Sequence, residues 1–344
     1  MTKQIKIGNL YIGGGNKIAI QSMLNCSLKD YEKAKNQTLQ LQKAGCDIVR
    51  FAVTDQACCK NIALLKSETN VPLVADIHFD ANLAILSIEN GADKIRINPG
   101  NFPKDQLKKV IDCAKSYNVP VRIGVNGGSV EKELAKNSSL EQALFNSLAN
   151  QVKAIENLGF YNLVLSAKSS SVQQTVKLAR LLAKNFDYPL HVGVTEAGPF
   201  EQGAIFNAVG IGSLLLDGIG DTVRVSLTAD PIKEVEVAKT ILSATGNFGG
   251  ATFVSCPKCG RCNQDLEQYA TVVYNHVKGL NKNIKVAVMG CEVNGPGECS
   301  TADLGMACGK GKVAFFKKGS VYKTVDEKDA LKLFLQEIDD FDLN

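Results

Sequence analysis

From about residue 17 to residue 243, short runs rich in β-branched residues alternate with longer stretches whose apolar positions recur at helical spacing. The short runs predict buried strands, and the longer stretches predict amphipathic helices. Eight strands are predicted, over residues 18–23, 47–53, 72–77, 94–98, 119–125, 162–167, 190–195 and 222–227. A helical pattern follows each of them, for example over residues 30–44, 106–117, 140–158, 172–185 and 232–244.

This alternation predicts an α/β fold, a (β/α)8 TIM barrel over residues 1–244, with a doubly wound open sheet as the alternative. A turn-rich segment at 245–250 predicts a linker. Residues 251–344 carry strand and helix patterns of their own. They predict a second, small α/β domain.

Polar side chains lie at or near the carboxyl ends of all eight predicted strands. They are Asn25, Arg50, Asp76, His78, Arg96, Asn98, Arg122, Asn126, Lys168, Glu196, Arg224 and Ser226. The active sites of (β/α)8 barrels lie at this end of the strands. Because a charged side chain in a strand buried on both faces is costly unless it lines a site, the pattern predicts an active site there.

Cations outnumber acids in this set. The cations are Arg50, Arg96, Arg122, Lys168 and Arg224, and the acids are Asp76 and Glu196. Guanidinium groups match phosphate oxygens in a bidentate geometry. The expected ligand is therefore a compact, multiply charged anion such as a diphosphate.

Overall composition narrows the classes of function. The net charge of +4 comes with lysines spread along the chain, which fits a small anionic substrate better than nucleic acid. No apolar run approaches the ~20 residues needed to span a bilayer. The amino-terminal residues lack the pattern of a signal or transit peptide. We therefore expect a cytoplasmic protein that binds neither membrane nor nucleic acid.

Cysteines are numerous and unevenly placed. Of 11 in the chain, the carboxyl-terminal group comprises Cys256, Cys259, Cys262, Cys291, Cys299 and Cys308. An odd total in a chain without an export signal argues against a disulfide framework and for metal binding. Thiolates select zinc, copper or iron–sulfur clusters.

Spacing alone leaves three metal sites open, and all of them use Cys256, Cys259 and Cys291. In a zinc ribbon the fourth ligand would be Cys299 or Cys308. In a ferredoxin-like cluster it would be Cys262. In a three-cysteine cluster it would be Glu298, which the rigid Gly-Pro-Gly turn at 295–297 slightly favours.

Longer motifs resemble one known family, the iron–sulfur 4-hydroxy-3-methylbut-2-enyl diphosphate synthases of the non-mevalonate isoprenoid pathway. In the carboxyl-terminal part they are Ser-Cys-Pro-Lys-Cys-Gly-Arg at 255–261 and Met-Gly-Cys-Glu-Val-Asn-Gly-Pro-Gly-Glu at 289–298. In the barrel they include Ala-Asp-Ile-His-Phe at 75–79, Ile-Arg-Ile-Asn-Pro-Gly-Asn at 95–101 and His-Val-Gly-Val-Thr-Glu-Ala-Gly at 191–198. The resemblance extends from about residue 5 to 340.

The resemblance implies a [4Fe-4S] cluster on Cys256, Cys259, Cys291 and Glu298. It also implies a substrate, 2-C-methyl-D-erythritol 2,4-cyclodiphosphate, and a two-electron reductive ring opening that expels a hydroxyl group as water. Flavodoxin or ferredoxin would supply the electrons. A zinc-stabilised barrel without redox chemistry, such as a pterin-type synthase, and an electron-transfer protein are the alternatives.

Each site residue then has an expected role. Diphosphate binding is expected of Arg50, Arg96, Asn98, Arg122, Asn126, Lys168, Arg224 and Ser226. Glu196, Asp76 and His78 are expected to deliver protons or orient the substrate. Because a carboxylate ligand exchanges more readily than a thiolate, Glu298 is expected to be catalytic as well as a cluster ligand.

Barrel geometry predicts the assembly. Each barrel helix runs back from the active-site face, so the last helix ends at the opposite face. A helix of about 14 residues is roughly 20 Å long, which a short linker does not readily span. A head-to-tail homodimer, in which each cluster domain covers the barrel of the partner, is therefore expected.

Overall fold

Eight parallel strands close into a barrel. The computed structural model describes residues 1–126, 140–262, 264–278, 280, 282–291, 293 and 295–341, which divide into two units, Met1–Asn247 and Phe248–Asn344. The strands of the first unit are β1 (Ile5–Ile7), β2 (Leu10–Ile12), β3 (Ala19–Met23), β4 (Ile48–Ala52), β5 (Leu73–Asp76), β6 (Lys94–Ile97), β7 (Val121–Asn126), β8 (Leu163–Lys168), β9 (His191–Val192) and β10 (Thr222–Val223).

The order of strands in the sheet confirms the predicted barrel. It is β8-β7-β6-β5-β4-β3-β10-β9, and every pair is parallel. A parallel bridge between Leu165 and Leu190 joins β8 to the residue before β9, so the two ends of the sheet meet. The alternative of an open, doubly wound sheet is therefore wrong.

A helix follows each barrel strand. These helices are α1 (Tyr31–Lys43), α2 (Gln56–Glu68), α3 (Ala81–Glu89), α4 (Lys104–Ser116), α5 (Leu140–Glu156), α6 (Val172–Asn185), α7 (Phe200–Leu216) and α8 (Pro231–Ala244). Asp30, Asp55, Asp80 and Asp230 precede α1, α2, α3 and α8, and each carboxylate accepts a hydrogen bond from a backbone N–H of the first turn. These caps set where the helices begin.

Strands β9 and β10 are shorter than the predicted runs 190–195 and 222–227. Gly193, directly after β9, has a φ of 154°, which residues with a Cβ rarely adopt. A Cβ at Gly193 would lie 2.2 Å from the carbonyl oxygen of Arg224. The regular pairing therefore ends where the two backbones approach closely at the active-site end.

The amino-terminal hairpin forms the floor of the barrel, which sequence reasoning missed. Its strands β1 and β2 are antiparallel. Ile5, Ile7 and Ile12 of the hairpin form one apolar cluster with the inward-facing residues Ala19, Ile48, Val74 and Val164. The end of the barrel opposite the predicted active site is therefore closed by aliphatic side chains.

The second unit is built on a five-stranded mixed sheet. Its elements are β11 (Thr252–Ser255), α9 (Leu266–Val277), β12 (Lys285–Met289), α10 (Gly295–Cys299), β13 (Leu304–Cys308), β14 (Lys312–Lys317), β15 (Ser320–Asp326) and α11 (Glu327–Asp339). Strands β11, β12 and β13 are parallel, whereas β14 and β15 are antiparallel to their neighbours. A separate apolar core lies between the sheet and the two long helices.

None of the helices in the described residues is long and apolar enough to cross a membrane.

The hairpin floor yields a stability prediction. Ile7 is fully buried, whereas Lys6, its neighbour in β1, is exposed. Ile7→Ala should lower the free energy of unfolding by about 3 kcal/mol, because it leaves a cavity in the floor. Lys6→Ala, the matched control, should change it by less than about 0.5 kcal/mol. Urea denaturation of both variants measures the difference, and equal effects would show that the hairpin does not stabilise the barrel.

Candidate active site and cysteine loops

Charged side chains from six strand ends surround a cavity of about 150 Å³ at the carboxyl end of the barrel. Its lining residues are Arg50, Asp76, His78, Arg96, Arg122, Gly124, Val125, Ser166, Lys168, Thr195 and Arg224. We call this cavity with its lining residues the barrel mouth. Parallel strands bring these side chains together because all their carboxyl ends lie on one face.

Asp76 is the carboxylate at the centre of the barrel mouth. It is 4% exposed. Its oxygens lie 3.1 Å from Nη1 of Arg96, 3.5 Å from Nη2 of Arg50 and 3.6 Å from Nε2 of His78. Burial by itself would raise the pKa of Asp76, but Arg50, His78 and Arg96 hold it well below its ordinary value. Asp76 therefore stays ionised at neutral pH.

Glu234, in the first turn of α8, is a second buried carboxylate, which sequence reasoning missed. One oxygen lies 3.1 Å from Nη2 of Arg224 and also accepts the backbone N–H of Leu227. The other accepts the hydroxyl of Ser22 at 2.9 Å. Glu234 thus fixes Arg224 at the rim. An acid in a first helical turn is common, so the sequence offered no distinguishing signal.

Positive charge exceeds negative charge at the barrel mouth and just below it. The basic residues there are Arg50, Lys94, Arg96, Arg122, Lys168 and Arg224, and the two carboxylates are Asp76 and Glu234. Arg122 has no hydrogen-bond partner in the described residues for Nε or Nη1, although both are buried. Buried polar atoms normally have partners, so this set of cations suits a multiply charged anion.

Burial and mutual repulsion act on the pKa values of these cations. Burial lowers the pKa of Arg50 to about 10. Burial and the nearby Arg122 lower the pKa of Lys168 well below its ordinary value. The pKa of Arg122 is lowered by burial and by Arg50 and Arg96. A bound anion would reverse these shifts, because it favours the charged forms.

Other predicted residues lie beside the cavity or outside it. His78 lines the rim with half of its side chain exposed. Asn98 caps the 3₁₀ turn Pro99–Asn101 by accepting the N–H of Gly100. Ser226 is half-buried, and its carbonyl accepts from Asn207. None of the contacts described for Asn98 or Ser226 reaches the cavity, and the side chain of Asn126 lies outside the described residues.

Glu196 is exposed next to Thr195, which does line the cavity. Its φ of 56° is one of three positive values among non-glycine residues that the structure describes. A left-handed backbone at a residue other than glycine is strained and is found often at functional sites. The backbone conformation of Glu196 is therefore an indication of a functional role that does not depend on its charge.

The predicted cluster ligands lie on neighbouring loops of the second unit. Cys256 follows β11 and Cys291 follows β12, and these strands are adjacent and parallel. The N–H of Gly290 donates to Sγ of Cys256 at 3.2 Å, which links the two loops. Cys259 and Glu298 are exposed. Within the described residues, no three His, Cys, Asp or Glu side chains lie close enough together to hold a metal ion.

The remaining carboxyl-terminal cysteines differ in their surroundings. Cys299 and Cys308 are buried, and burial raises the pKa of Cys299 to about 11 and that of Cys308 to about 12. Such thiols stay protonated at neutral pH, and a protonated thiol is a poor metal ligand. The thiol of Cys262 is half-buried and donates to the carbonyl oxygen of Gln264 at 3.4 Å.

Comparisons with known proteins match this architecture across both units. Residues 2–239 match the GcpE TIM-barrel domain, and residues 252–340 match the GcpE protein C-terminal domain. The chain belongs to the GcpE family. Family membership confirms the resemblance drawn from the motifs at residues 255–261 and 289–298.

Curated relatives of this GcpE family chain carry one name, "4-hydroxy-3-methylbut-2-en-1-yl diphosphate synthase (flavodoxin)". The protein of Caldicellulosiruptor saccharolyticus is 50% identical over 341 residues, which cover 98% of both chains. That of Clostridium perfringens is 47% identical over 345 residues, again 98% of both. The cysteine-rich second unit of the present chain is compatible with an iron–sulfur protein.

Two dihydropteroate synthases of known structure share the barrel fold with this GcpE family chain. Dihydropteroate synthase from Stenotrophomonas maltophilia is 16% identical with a TM-score of 0.54, covering 71% of this chain and 98% of that one. The Yersinia pestis enzyme is 13% identical with a TM-score of 0.53, covering 72% and 100%. Identity this low supports the barrel fold and says nothing of function.

Asp76 gives a prediction with a defined pH dependence. Asp76→Asn should lower the free energy of unfolding at pH 7 by about 3 kcal/mol, because it leaves Arg50 and Arg96 buried without their carboxylate. A carboxylate with a lowered pKa stabilises the fold above its ordinary pKa of about 4 and loses this effect as pH falls below that value. The difference from wild type should therefore shrink below about pH 4.

Thermal and urea unfolding from about pH 3 to about pH 8 measure this difference in the free energy of unfolding. Asp112→Asn is the matched control, because Asp112 pairs with Lys108 on the exposed surface of α4. A destabilisation by Asp76→Asn that is no larger than that of the control would contradict the role given to Asp76.

Proposed function

We propose that this protein is a 4-hydroxy-3-methylbut-2-en-1-yl diphosphate synthase of the non-mevalonate isoprenoid pathway. It would open the ring of 2-C-methyl-D-erythritol 2,4-cyclodiphosphate in a two-electron reduction that releases water. The observation that carries this proposal is the surplus of buried cations at the barrel mouth. The names of relatives at 44–50% identity support it.

The barrel mouth is suited to hold the cyclic diphosphate. Arg122 is the best candidate to bind the phosphate oxygens, because two of its buried nitrogens have no partner among the described residues. Arg50, Arg96, Lys168 and Arg224 surround it and would share the phosphate oxygens. Arg50 and Arg96 are held by Asp76 and Arg224 by Glu234, so these guanidinium groups are oriented before the ligand arrives. We also propose Asn98, Asn126 and Ser226 as diphosphate-binding residues.

Proton delivery is proposed for the residues at the rim. Asp76 cannot donate a proton at neutral pH because its pKa is too low, so its role is to orient Arg50 and Arg96. His78 and Glu196 are the exposed titratable residues at or near the mouth. We propose that they deliver a proton to the hydroxyl group that leaves as water, or orient the substrate for that step.

A [4Fe-4S] cluster is proposed on Cys256, Cys259, Cys291 and Glu298. The donors fit such a group in their chemistry, and the thiols lie on two adjacent loops that the Gly290 N–H links to Sγ of Cys256, although no three donors lie within metal-binding distance in the described residues. When bound, the cluster supplies single electrons and a Lewis-acidic iron. Glu298 makes no hydrogen bond or ion pair through its carboxylate to any described residue, so it is free to exchange as a ligand. Flavodoxin is the proposed electron donor, with ferredoxin as the alternative.

We propose residues 1–244 as the substrate domain, 245–250 as the linker and 251–344 as the cluster domain. A head-to-tail homodimer follows from where the chain leaves the barrel. Asn247, just beyond α8, lines a groove with Thr2, Gly218 and Asp221 at the amino-terminal end of the barrel strands, opposite the mouth. A short linker that starts there favours placing the cluster domain on the partner's barrel.

Cluster ligation and turnover can be tested together. Protein purified without oxygen should contain iron, absorb broadly in the visible range and convert the cyclodiphosphate when flavodoxin or a chemical reductant supplies electrons. Cys291→Ser should lose iron and activity, because it removes a proposed ligand. Cys262→Ser is the control and should keep both. Stoichiometric zinc in colourless wild-type protein, or iron loss in Cys262→Ser alone, would contradict the proposal.

Mixed dimers test the assembly. Glu298→Ala and Glu196→Ala should each be nearly inactive as homodimers. In a head-to-tail dimer, a mixed dimer places both substitutions in one active site and leaves the other site intact. Random exchange of equal amounts should therefore restore about a quarter of wild-type activity. Mixed dimers isolated with two different tags that stay inactive would contradict assembly in trans.

A further inference from the structure

Lys94 lies inside the barrel, below the cavity. It begins β6, two residues before Arg96, so both side chains point to the same face of the strand. Its side chain is 0% exposed, and it is not among the residues that line the cavity. Its register neighbour Val74 belongs to the apolar floor. Lys94 therefore occupies the layer between the floor and the barrel mouth.

The surroundings of Lys94 do not neutralise an ammonium group. Nζ has one hydrogen bond among the described residues, to Oε1 of Gln21 at 3.3 Å. Nε2 of Gln21 is itself buried and has no partner in the part of the chain that the structure describes. The charges that act on Lys94 most strongly are those of Arg122 and Arg50, which have the same sign. Burial and these two arginines lower the pKa of Lys94 well below its ordinary value.

The charged and titratable groups that face this part of the barrel come from β4 to β9, from the residue after β10 and from the first turn of α8, whereas β3 contributes none. The cations are Arg50, Arg96, Arg122, Lys168 and Arg224, and His191 adds an imidazole whose Nε2 has no partner among the described residues. The carboxylates are Asp76 and Glu234, which are already engaged by arginines. The net field at Lys94 is therefore positive until an anion enters.

A purely structural role explains Lys94 poorly. A buried amine with a single hydrogen bond destabilises the fold relative to an apolar side chain of similar size, since its charged form is desolvated. The floor directly below is already filled by aliphatic side chains. A lysine at this position is explained if its charged form stabilises another state of the protein, one in which an anion is bound.

We propose that Lys94 is a buried basic residue of the anion site. It is neutral in the ligand-free barrel and takes up a proton from solvent when a diphosphate binds at the mouth. The proposal rests on the proposed function only in requiring that a diphosphate binds there. The proton converts the Lys94 amine to an ammonium ion and no other bond changes. A ligand with more negative charges favours the protonated form of Lys94 more strongly. Lys94 therefore favours the binding of a diphosphate over that of a singly charged ligand.

Inorganic pyrophosphate is the probe, and Lys94→Met is the test variant. Calorimetric titrations in buffers with different enthalpies of ionisation give the number of protons taken up on binding. Wild type should take up protons near pH 8, and Lys94→Met should take up fewer, by up to about one per site. Lys168 can contribute the remainder, since it also lies in the barrel mouth.

The affinity for pyrophosphate should also depend on the charge that Lys94 gains. At pH 7, Lys94→Met should weaken pyrophosphate binding about tenfold, as the loss of one nearby charge implies. The gap between variant and wild type should close as pH rises, because Lys94 is then neutral in both states. The ligand-free variant should also unfold at a higher temperature than wild type, since it no longer buries an amine. Weaker binding in a more stable protein is a result that a structural role does not produce.

Lys108→Met is the matched control, an exposed lysine on α4 that should leave proton uptake and affinity unchanged. Lys94→Gln is a second neutral variant and should behave as Lys94→Met even if the methionine protein folds poorly. Proton uptake equal to wild type in both variants, affinity lost equally at every pH, or no pyrophosphate binding by wild type would each overturn the proposal. Normal anaerobic turnover in that case would leave the proposed function standing.

Discussion

The rest of the barrel depends on one electrostatic constraint, the pairing of Asp76 with Arg50 and Arg96 in a buried position. Without a carboxylate there, the cations of the barrel mouth would repel one another with little water to screen them. Glu234 does the same for Arg224 from the first turn of α8. The two carboxylates thus hold Arg50, Arg96 and Arg224 in place, and they leave a net positive charge to attract the ligand.

Much of this arrangement follows from the sequence, because strand ends in a (β/α)8 barrel converge on one face. That rule predicts that Arg50, Asp76, Arg96 and Lys168 lie together, and they do line one cavity. It failed where side-chain partners come from elsewhere. Glu234 lies on a helix, and only tertiary packing brings it to Arg224. Lys94 was overlooked because a lysine at the start of a strand usually marks a surface, although its spacing of two from Arg96 indicated the same inward face.

The second unit shows a different limit. The sequence pattern indicates strands over residues 253–255, 285–289 and 312–316 of this unit, but it gives no sign of β13 or β15. The small residues of β13 have weak strand propensity, yet they are required there, since a Cβ at Gly305 would lie 2.5 Å from Sγ of Cys299. The cysteine spacing could not choose among the three metal sites either. Burial does not choose among them either, since Cys291 is buried as Cys299 and Cys308 are.

The buried groups of the barrel that suit an anionic ligand also lower the stability of the ligand-free protein. The aliphatic floor closes one end, so charge in the middle layer can be neutralised only from the mouth. Lys94, Arg122 and Lys168 accordingly keep their lowered pKa values until an anion arrives. A ligand with several negative charges raises the pKa values of these three groups and adds the partners that Arg122 lacks among the described residues. The ligand therefore completes the interior of the barrel, and selection among anions by charge follows from the same unpaired groups that destabilise the barrel without it.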